Sequence, residues 1–377
     1  MENLPYQTHV LVHLDHIRAN LEAVRRRVGP SRKLLAVVKA DAYGHGAVGV
    51  SRLAEQAGAH WLGVATLPEG LQLRQAGLRL PILKLYPMFP VEMAAAIAAG
   101  ITPTVVDAGN IQALEAIASG LGAQVDVHLA VDTGMGRIGL PPDAAPDLAR
   151  LVEGCRHLRL QGLSSHLPVS DEPDLAFTQS QVRRFREAAA AVEAALGRRL
   201  ELVHCANSGA ILAHPDAWMD MVRAGVILYG FYPNTHTPRT LELLPGLSLH
   251  TAVSFLKQIP AGTRIGYGLT WAAPRDTWIA TLPVGFGDGY SRRFFRKGRV
   301  LVNGRSYPVV GRICMDQIMV DLGPGTTVQV GDLAVLIGRS GAERITVEEW
   351  AEVMDTITYE VTCQINARVE RVHRPAP

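Results

Sequence analysis

Cysteine is scarce: four in 377 residues, Cys155, Cys205, Cys314 and Cys363, far apart and in no paired spacing. That excludes a disulfide framework or a cysteine zinc site, and it fits a reducing, cytoplasmic setting. Charge of one sign is missing too, since 37 Lys and Arg offset 35 Asp and Glu. The basic residues are scattered, so neither nucleic acid nor an acidic membrane surface is an expected partner. No apolar run approaches the roughly 20 residues of a membrane span. Met1 to His13 lacks the basic-then-apolar profile of a secretory leader. No Gly-x-Gly-x-x-Gly follows the first strand of the repeating pattern, which weighs against an open dinucleotide-binding sheet. What remains, with 48% hydrophobic and 19% charged residues, reads as a soluble enzyme long enough for two domains.

The pattern that is present is repetitive. Apolar runs start at Leu34, Trp61, Ile82, Thr102, Val125, Leu158, Glu201 and Asp220, each followed by an amphipathic stretch. Eight strand-helix units in succession predict an α/β fold, a closed (β/α)8 TIM-like barrel, with an open doubly wound sheet as the runner-up. A further strand at about 8–14 precedes them and is expected to pack with the second domain. The texture changes at Pro245-Gly246. Beyond it, alternating apolar and polar runs punctuated by Gly predict a mainly β domain, giving boundaries of 1–245 and 246–377. Asn303-Gly304 between two such runs signals a hairpin. Val328 to Ile337 and Ile365 to Val372 read as strands, with one helix over Val347 to Met354.

In such a barrel, functional residues gather at the C-terminal ends of the strands. The first strand ends in Lys39, with Tyr43 close behind. The fifth leads into Asp132-Thr133-Gly134-Met135-Gly136-Arg137, the sixth into His166, the seventh into Asn207-Ser208-Gly209 and the eighth into Arg223-Ala224-Gly225. A lysine in an apolar setting is a nucleophilic amine suited to Schiff-base chemistry. The last two loops suit a phosphate. A lysine on one side and a phosphate cradle on the other is what pyridoxal 5'-phosphate requires. Arginine does not readily release its proton, so Arg223 against the pyridine nitrogen would leave that nitrogen unprotonated. Duller readings exist for each residue. Arg223 could pair with a barrel carboxylate, His166 could be a satisfied core histidine, and Asp132-Thr133-Gly134 could be ordinary loop chemistry.

Several blocks then point to a family. Ala36-Val37-Val38-Lys39-Ala40-Asp41-Ala42-Tyr43-Gly44-His45-Gly46, the Asp132–Arg137 run and Val222-Arg223-Ala224-Gly225 resemble the alanine racemases. So do Tyr267-Gly268, Thr281–Gly285, Gly311–Asp316 and Thr358–Val361 in the second domain, and the resemblance runs nearly end to end. It implies a pyridoxal-phosphate racemase that interconverts L- and D-alanine, a route to D-alanine, as a head-to-tail homodimer with shared sites. Lys39 would carry the Schiff base and act as one base, and Tyr267 of the other subunit as the opposite base. Arg137 would contact the cofactor's phenolic oxygen and the substrate carboxylate, with the Met315 backbone assisting. Tyr43, Ser208, Gly225 and Tyr359 would hold the phosphate, and Arg223 the pyridine nitrogen, with His166 and Asn207 as cofactor neighbours. Asp171, Arg292, Arg312 and Tyr359 resemble the family's gate residues. No metal is implied. Two departures stand out: Ala130 where many members carry a lysine that steadies the arginine, and Phe286 where a tyrosine is usual. Rival readings are a racemase of another small amino acid such as serine, a decarboxylase of the same two-domain plan, and, least favoured, a non-catalytic cofactor carrier.

Overall fold

The computed structural model describes residues 6–374, which divide into two compact units. One holds 16–42 and 46–244; the other holds the residues up to 15, the short stretch 43–45, and everything from 245 on. No helix among the described residues is long and apolar enough to cross a membrane.

Strand β1 (His9–His13) belongs to the second unit. The first unit follows with β2 (Lys33–Val37), β3 (Trp61–Val64), β4 (Ile82–Lys84), β5 (Ile101–Thr102), β6 (Thr104–Val105), β7 (Val125–Ala130), β8 (Leu158–Ser164), β9 (Leu202–His204) and β10 (Met221–Ala224). All pairings in it are parallel, in two arcs, β10-β2-β3-β4-β5 and β6-β7-β8-β9. Pro103 splits what the sequence reads as one fourth strand, because proline has no N–H to give the ladder. Its carbonyl still accepts from His128 N at 3.0 Å. At the other seam Asp220 N donates to Val203 O at 3.1 Å and Arg223 N to Ala206 O at 2.9 Å, so the eight positions close into the expected barrel. Leu34, Leu35, Ala36, Leu62, Leu129, Leu160 and Leu163 are fully buried, the near-continuous apolar strands that a parallel barrel demands. Helix starts are sequence-coded; at Leu67–Gln75 the Thr66 side chain accepts from Glu69 N while the Glu69 carboxylate takes Thr66 N in return.

The second unit continues with β11 (Leu247–Ala252), β12 (Phe255–Ile259), β13 (Arg264–Ile265), β14 (Trp271–Ala272), β15 (Thr277–Leu282), β16 (Arg299–Val302), β17 (Arg305–Val310), β18 (Ile318–Gly323), β19 (Leu333–Ser340), β20 (Glu343–Ile345) and β21 (Glu370–Arg374). Strand β1 is antiparallel to β11 and parallel to β21, one strand in from the end of a ten-stranded sheet. Val302 pairs with Arg305 across Asn303 (φ 51°) and Gly304 (φ 76°), two positive φ values as the two-residue hairpin turn requires. Ile259, Ile265, Ala273, Ile279 and Val310 form an apolar cluster, flanked by Trp271 and Met319. Two expectations shift. The strand read over 328–337 lies at 333–340, because a turn at Gly331 (φ 94°) precedes it. The strand read over 365–372 lies at 370–374, since the Asn366 backbone and side chain turn the chain at 366–369. The helix Val347–Met354 is present, and a second one, Thr358–Gln364, carries Tyr359.

Candidate active site

The lysine is not the last residue of its strand. β2 ends at Val37, and Lys39 opens a turn in which Ala40, Asp41, Ala42 and Tyr43 all take φ of 51–54°. Four consecutive non-glycine residues in the left-handed region cost about 1–2 kcal/mol each. Hydrogen bonds over-determine the turn: Ala40 N donates to Glu69 Oε1 at 2.8 Å, Ala42 N to Val38 O at 2.9 Å and Ala47 N to Asp41 Oδ1 at 2.7 Å. Gly44 ends it at φ 81°, where a Cβ would lie 2.2 Å from the Thr362 carbonyl oxygen. Strain held in this way is a mark of a working site.

Lys39, Arg137 and Arg223 meet around His166. Burial, then the positive charges of Arg223, Arg137 and Lys39, push the His166 imidazole down to about 3. None of the ion pairs among the described residues includes any of the three cations. Lys39 Nζ donates to Tyr86 Oη at 3.3 Å, and the Arg137 guanidinium lies over the Tyr86 ring at 5.2 Å. The Arg137 loop is built on the Asp132 carboxylate, which accepts from the backbone N–H of Gly134, Met135 and Gly136 at 2.8–2.9 Å. Thr133 and Ser165 share a hydroxyl hydrogen bond of 2.8 Å beneath it.

Arg223 is 6% exposed and spends its terminal nitrogens on neutral acceptors. Nη1 donates to His204 Nδ1 (2.7 Å) and His204 O (2.9 Å); Nη2 donates to Ser165 O (2.7 Å), Cys205 O (3.1 Å) and His166 Nδ1 (3.2 Å). No carboxylate is among them, which sets aside the barrel-carboxylate reading, and none of these bonds uses Nε. Burial, against Cys205 and with Arg137 adding to it, lowers the guanidinium to about 10, and Tyr86 also opposes. A guanidinium cannot accept a hydrogen bond, so the order of protons beyond it is fixed. His204 carries its proton on Nε2 and donates to His128 Nδ1 at 2.9 Å; His128 then faces Gln161 Oε1 with Nε2 at 3.4 Å. Burial holds His128 down to about 4 and His204 well below its ordinary value, so both rings stay neutral.

The seventh and eighth strand ends are tied together. Gly225 N donates to Ser208 Oγ at 3.0 Å, which leaves the Ser208 O–H free to donate but occupies the Gly225 amide that the sequence offers to a phosphate. Asn207 Oδ1 accepts from Ala210 N and Ser170 Oγ, and Nδ2 donates to Leu167 O, so this side chain braces the loop rather than facing a ligand. Asp171 accepts from Asn234 Nδ2 at 3.0 Å, and burial, with Glu172 beside it, raises its carboxyl. In the β unit the Tyr43 and Tyr359 rings meet edge to face, 6.2 Å between centroids. Tyr267 is 70% exposed on the turn Tyr267–Leu269; a Cβ on Gly268 would lie 3.2 Å from the Arg312 guanidinium carbon. Phe286 N donates to Cys314 O and Gly287 N to Met315 O, so Phe286 and Met315, both exposed, present one surface. Arg292 sits exposed on the turn Arg292–Phe294.

The structure thus gathers Lys39, Arg137, His166 and Arg223 in the barrel unit, and Tyr43 with Tyr359, Tyr267 with Arg312, and Met315 with Phe286 in the β unit. Sequence reasoning overlooked Tyr86, His204 and His128. Tyr86 belongs to the third barrel-strand end, so applying the strand-end rule evenly would have found it. The histidines lie on inward-facing positions of two separate strands, and no local motif marks them.

A (β/α)8 barrel with a lysine and two arginines uncompensated at its strand ends, followed by a mainly β unit, has the make-up of an enzyme whose strand ends attract anions. The profile of "Alanine racemase, N-terminal domain" matches residues 12–233, and that of "Alanine racemase, C-terminal domain" residues 246–373. An alanine racemase of Cutibacterium acnes is 48% identical over 373 residues, 98% of this chain and 99% of that protein. A solved alanine racemase of Clostridium difficile 630 superposes with a TM-score of 0.94 at 36% identity, covering 99% of this chain and 97% of that one. A solved histidine racemase of Leuconostoc mesenteroides gives 0.91 at 28% identity over the whole of both chains. The chain belongs to the alanine racemase family and is an isomerase.

Proposed function

We propose that this enzyme interconverts L- and D-alanine by a two-base proton transfer, with pyridoxal 5'-phosphate bound in the barrel and a second copy of the chain completing each site. The observation that carries the reading is the trio of cations converging on His166, none of them in an ion pair among the described residues. Arg223 is buried, Lys39 half-buried and Arg137 exposed, and positive charges gathered this way without a counter-charge are unfavourable unless an anion joins them. A phosphorylated, phenolic cofactor and an amino-acid carboxylate supply those anions.

The residues fit that cofactor. Lys39 offers its amine from a turn held rigid by Glu69 and Asp41. Ser208 has a hydroxyl proton to donate to a phosphate. Arg223 keeps an Nε–H for the ring nitrogen, and even lowered to about 10 by burial the guanidinium holds its own proton at neutral pH. When bound, the cofactor supplies an electron sink that acidifies the α-hydrogen; with a nitrogen left unprotonated that sink is moderate, which favours proton exchange over transamination or loss of carboxylate. Arg137 orients the substrate carboxylate, and Met315 and Phe286 of the second copy border it. Lys39 Nζ holds and returns a proton on one face and the partner's Tyr267 Oη on the other, as inversion of a carbon centre requires. The exposure of Tyr267, Leu269, Phe286 and Met315 on one unit supports a second copy as their cover.

The histidine racemase in this fold supports a second reading, a different amino acid as substrate, and pocket volume alone discriminates neighbours only modestly. Chiral chromatography of the purified, spectroscopically yellow protein with single L-amino acids separates them. D-alanine from L-alanine is the expected result. Racemisation of another amino acid only would move the substrate, and an amine product with lost carboxylate would sink the racemase reading. Lys39→Ala abolishes the yellow colour if the anchor is right. Tyr267→Phe slows proton loss from one enantiomer more than from the other; equal slowing would undo the two-base assignment.

A further inference from the structure

Tyr86 follows β4 by two residues, and no role has yet been assigned to it. Its ring lies against the Arg137 guanidinium, 5.2 Å from the guanidinium carbon to the centroid. Its hydroxyl accepts from Lys39 Nζ at 3.3 Å, and that ammonium is 5.6 Å from the same ring. Arg137 forms no ion pair among the described residues, and its loop is tethered through backbone N–H groups rather than through its side chain. The ring is therefore what its guanidinium rests on.

The platform is itself fixed from behind. Lys84 is 4% exposed, and its ammonium donates to Pro87 O at 2.8 Å and Tyr86 O at 3.4 Å, with Glu92 at 3.8 Å. The Lys84 carbonyl in turn accepts from Thr104 Oγ1 at 2.7 Å. A buried cation clamps the two carbonyls next to the ring, so the Tyr86 backbone has little freedom.

We propose that Tyr86 is a positioning residue whose ring is the platform that fixes Arg137 at the barrel mouth. A guanidinium on an aromatic face keeps its in-plane N–H groups free for an anion, whereas one paired to a carboxylate spends them. Ala130, in the strand that leads to the Arg137 loop, offers no polar group for that work, and the ring needs none. The assignment of a carboxylate as what Arg137 then meets rests on the proposed function; the platform does not.

The test compares Tyr86→Phe, which keeps the ring, with Tyr86→Leu, which removes it. On the full chain freed of cofactor, modification of Arg137 by phenylglyoxal is followed by peptide mass spectrometry. Tyr86→Leu is expected to react about 2- to 5-fold faster than the unaltered protein, the range of an exposed cation–π contact, and Tyr86→Phe close to it. In the loaded enzyme the same factor should fall on KM for L-alanine in Tyr86→Leu, with kcat less affected, and Tyr86→Phe should restore KM. Modification of Tyr86→Leu at the unaltered rate, or of Tyr86→Phe as fast as Tyr86→Leu, overturns the platform. Failure of the alanine assay alone, with the labelling ranked as expected, overturns the functional reading and leaves the platform standing.

Discussion

Replacing Ala40 with glycine tests the left-handed turn at its least encumbered residue. Ala40 is exposed, its φ is 51°, and its methyl makes no bond to the rest of the turn. Asp41 is less clean because its carboxylate caps Ala47, and Ala42 is buried. In the left-handed region alanine costs about 1–2 kcal/mol that glycine does not. Glycine gives back about 0.4–1 kcal/mol through the greater freedom of the unfolded chain. The net is a gain of up to about 1 kcal/mol. In an ordinary right-handed helix the same change would lose about 1 kcal/mol, so the sign alone discriminates. Over 377 residues an unfolding entropy of roughly 2.1 cal/mol/K per residue makes this a rise of about 1 °C in Tm, against an equal fall. Differential scanning fluorimetry at one scan rate, with protein and cofactor concentrations held equal, resolves that difference. A fall of about 1 °C in Ala40→Gly would refute the turn.

Further expectations follow from the charge layout. His128, His166, His204 and His250 are held neutral when folded, chiefly by burial, while in the unfolded chain they titrate near 6.5. Depressed values mean that the stability is whole above pH 6.5 and is lost as pH falls toward about 4. Calorimetry near pH 5.5 should show uptake of on the order of three protons per chain on unfolding, and uptake below about one would be inconsistent with buried neutral rings. Asp132→Ala removes the acceptor of three backbone N–H groups under Arg137, each worth about 1.5 kcal/mol or more when the acceptor is charged. It should raise KM for alanine at least about tenfold with a smaller change in Tm, and an unchanged KM would show that the loop needs no such anchor. Gly304→Ala, at φ 76° in the exposed hairpin, should lower stability by about 1 kcal/mol without altering turnover, read by the shift in Tm beside an activity assay.

What the sequence made legible was whatever is local. The apolar runs before Lys39, Asp132, His166, Asn207 and Arg223 announce their strands, and the strand-end rule then names the residues. Asn303-Gly304 announces its own turn. The left-handed turn was not legible, because of Ala40, Asp41, Ala42 and Tyr43 only the aspartate tolerates positive φ at all readily; Glu69, from the helix after β3, helps impose it. Nor could the proton order along Arg223, His204 and His128 be read, since it joins three strands through the barrel interior. The helix Thr358–Gln364 was missed for a plainer reason: seven residues give an amphipathic period too little room to show.

Strand β1 has one more consequence, in the order of synthesis. Residues 9–13 leave the ribosome early, yet their hydrogen-bonding partners are 247–252 and 370–374. At about 5–20 residues per second those partners arrive tens of seconds later. The barrel residues can collapse as they emerge, while the sheet of the other unit waits for its last strand to enclose its first. That sheet is complete only once residues 370–374 have emerged, and removing either 9–13 or 370–374 breaks it at the same pairing.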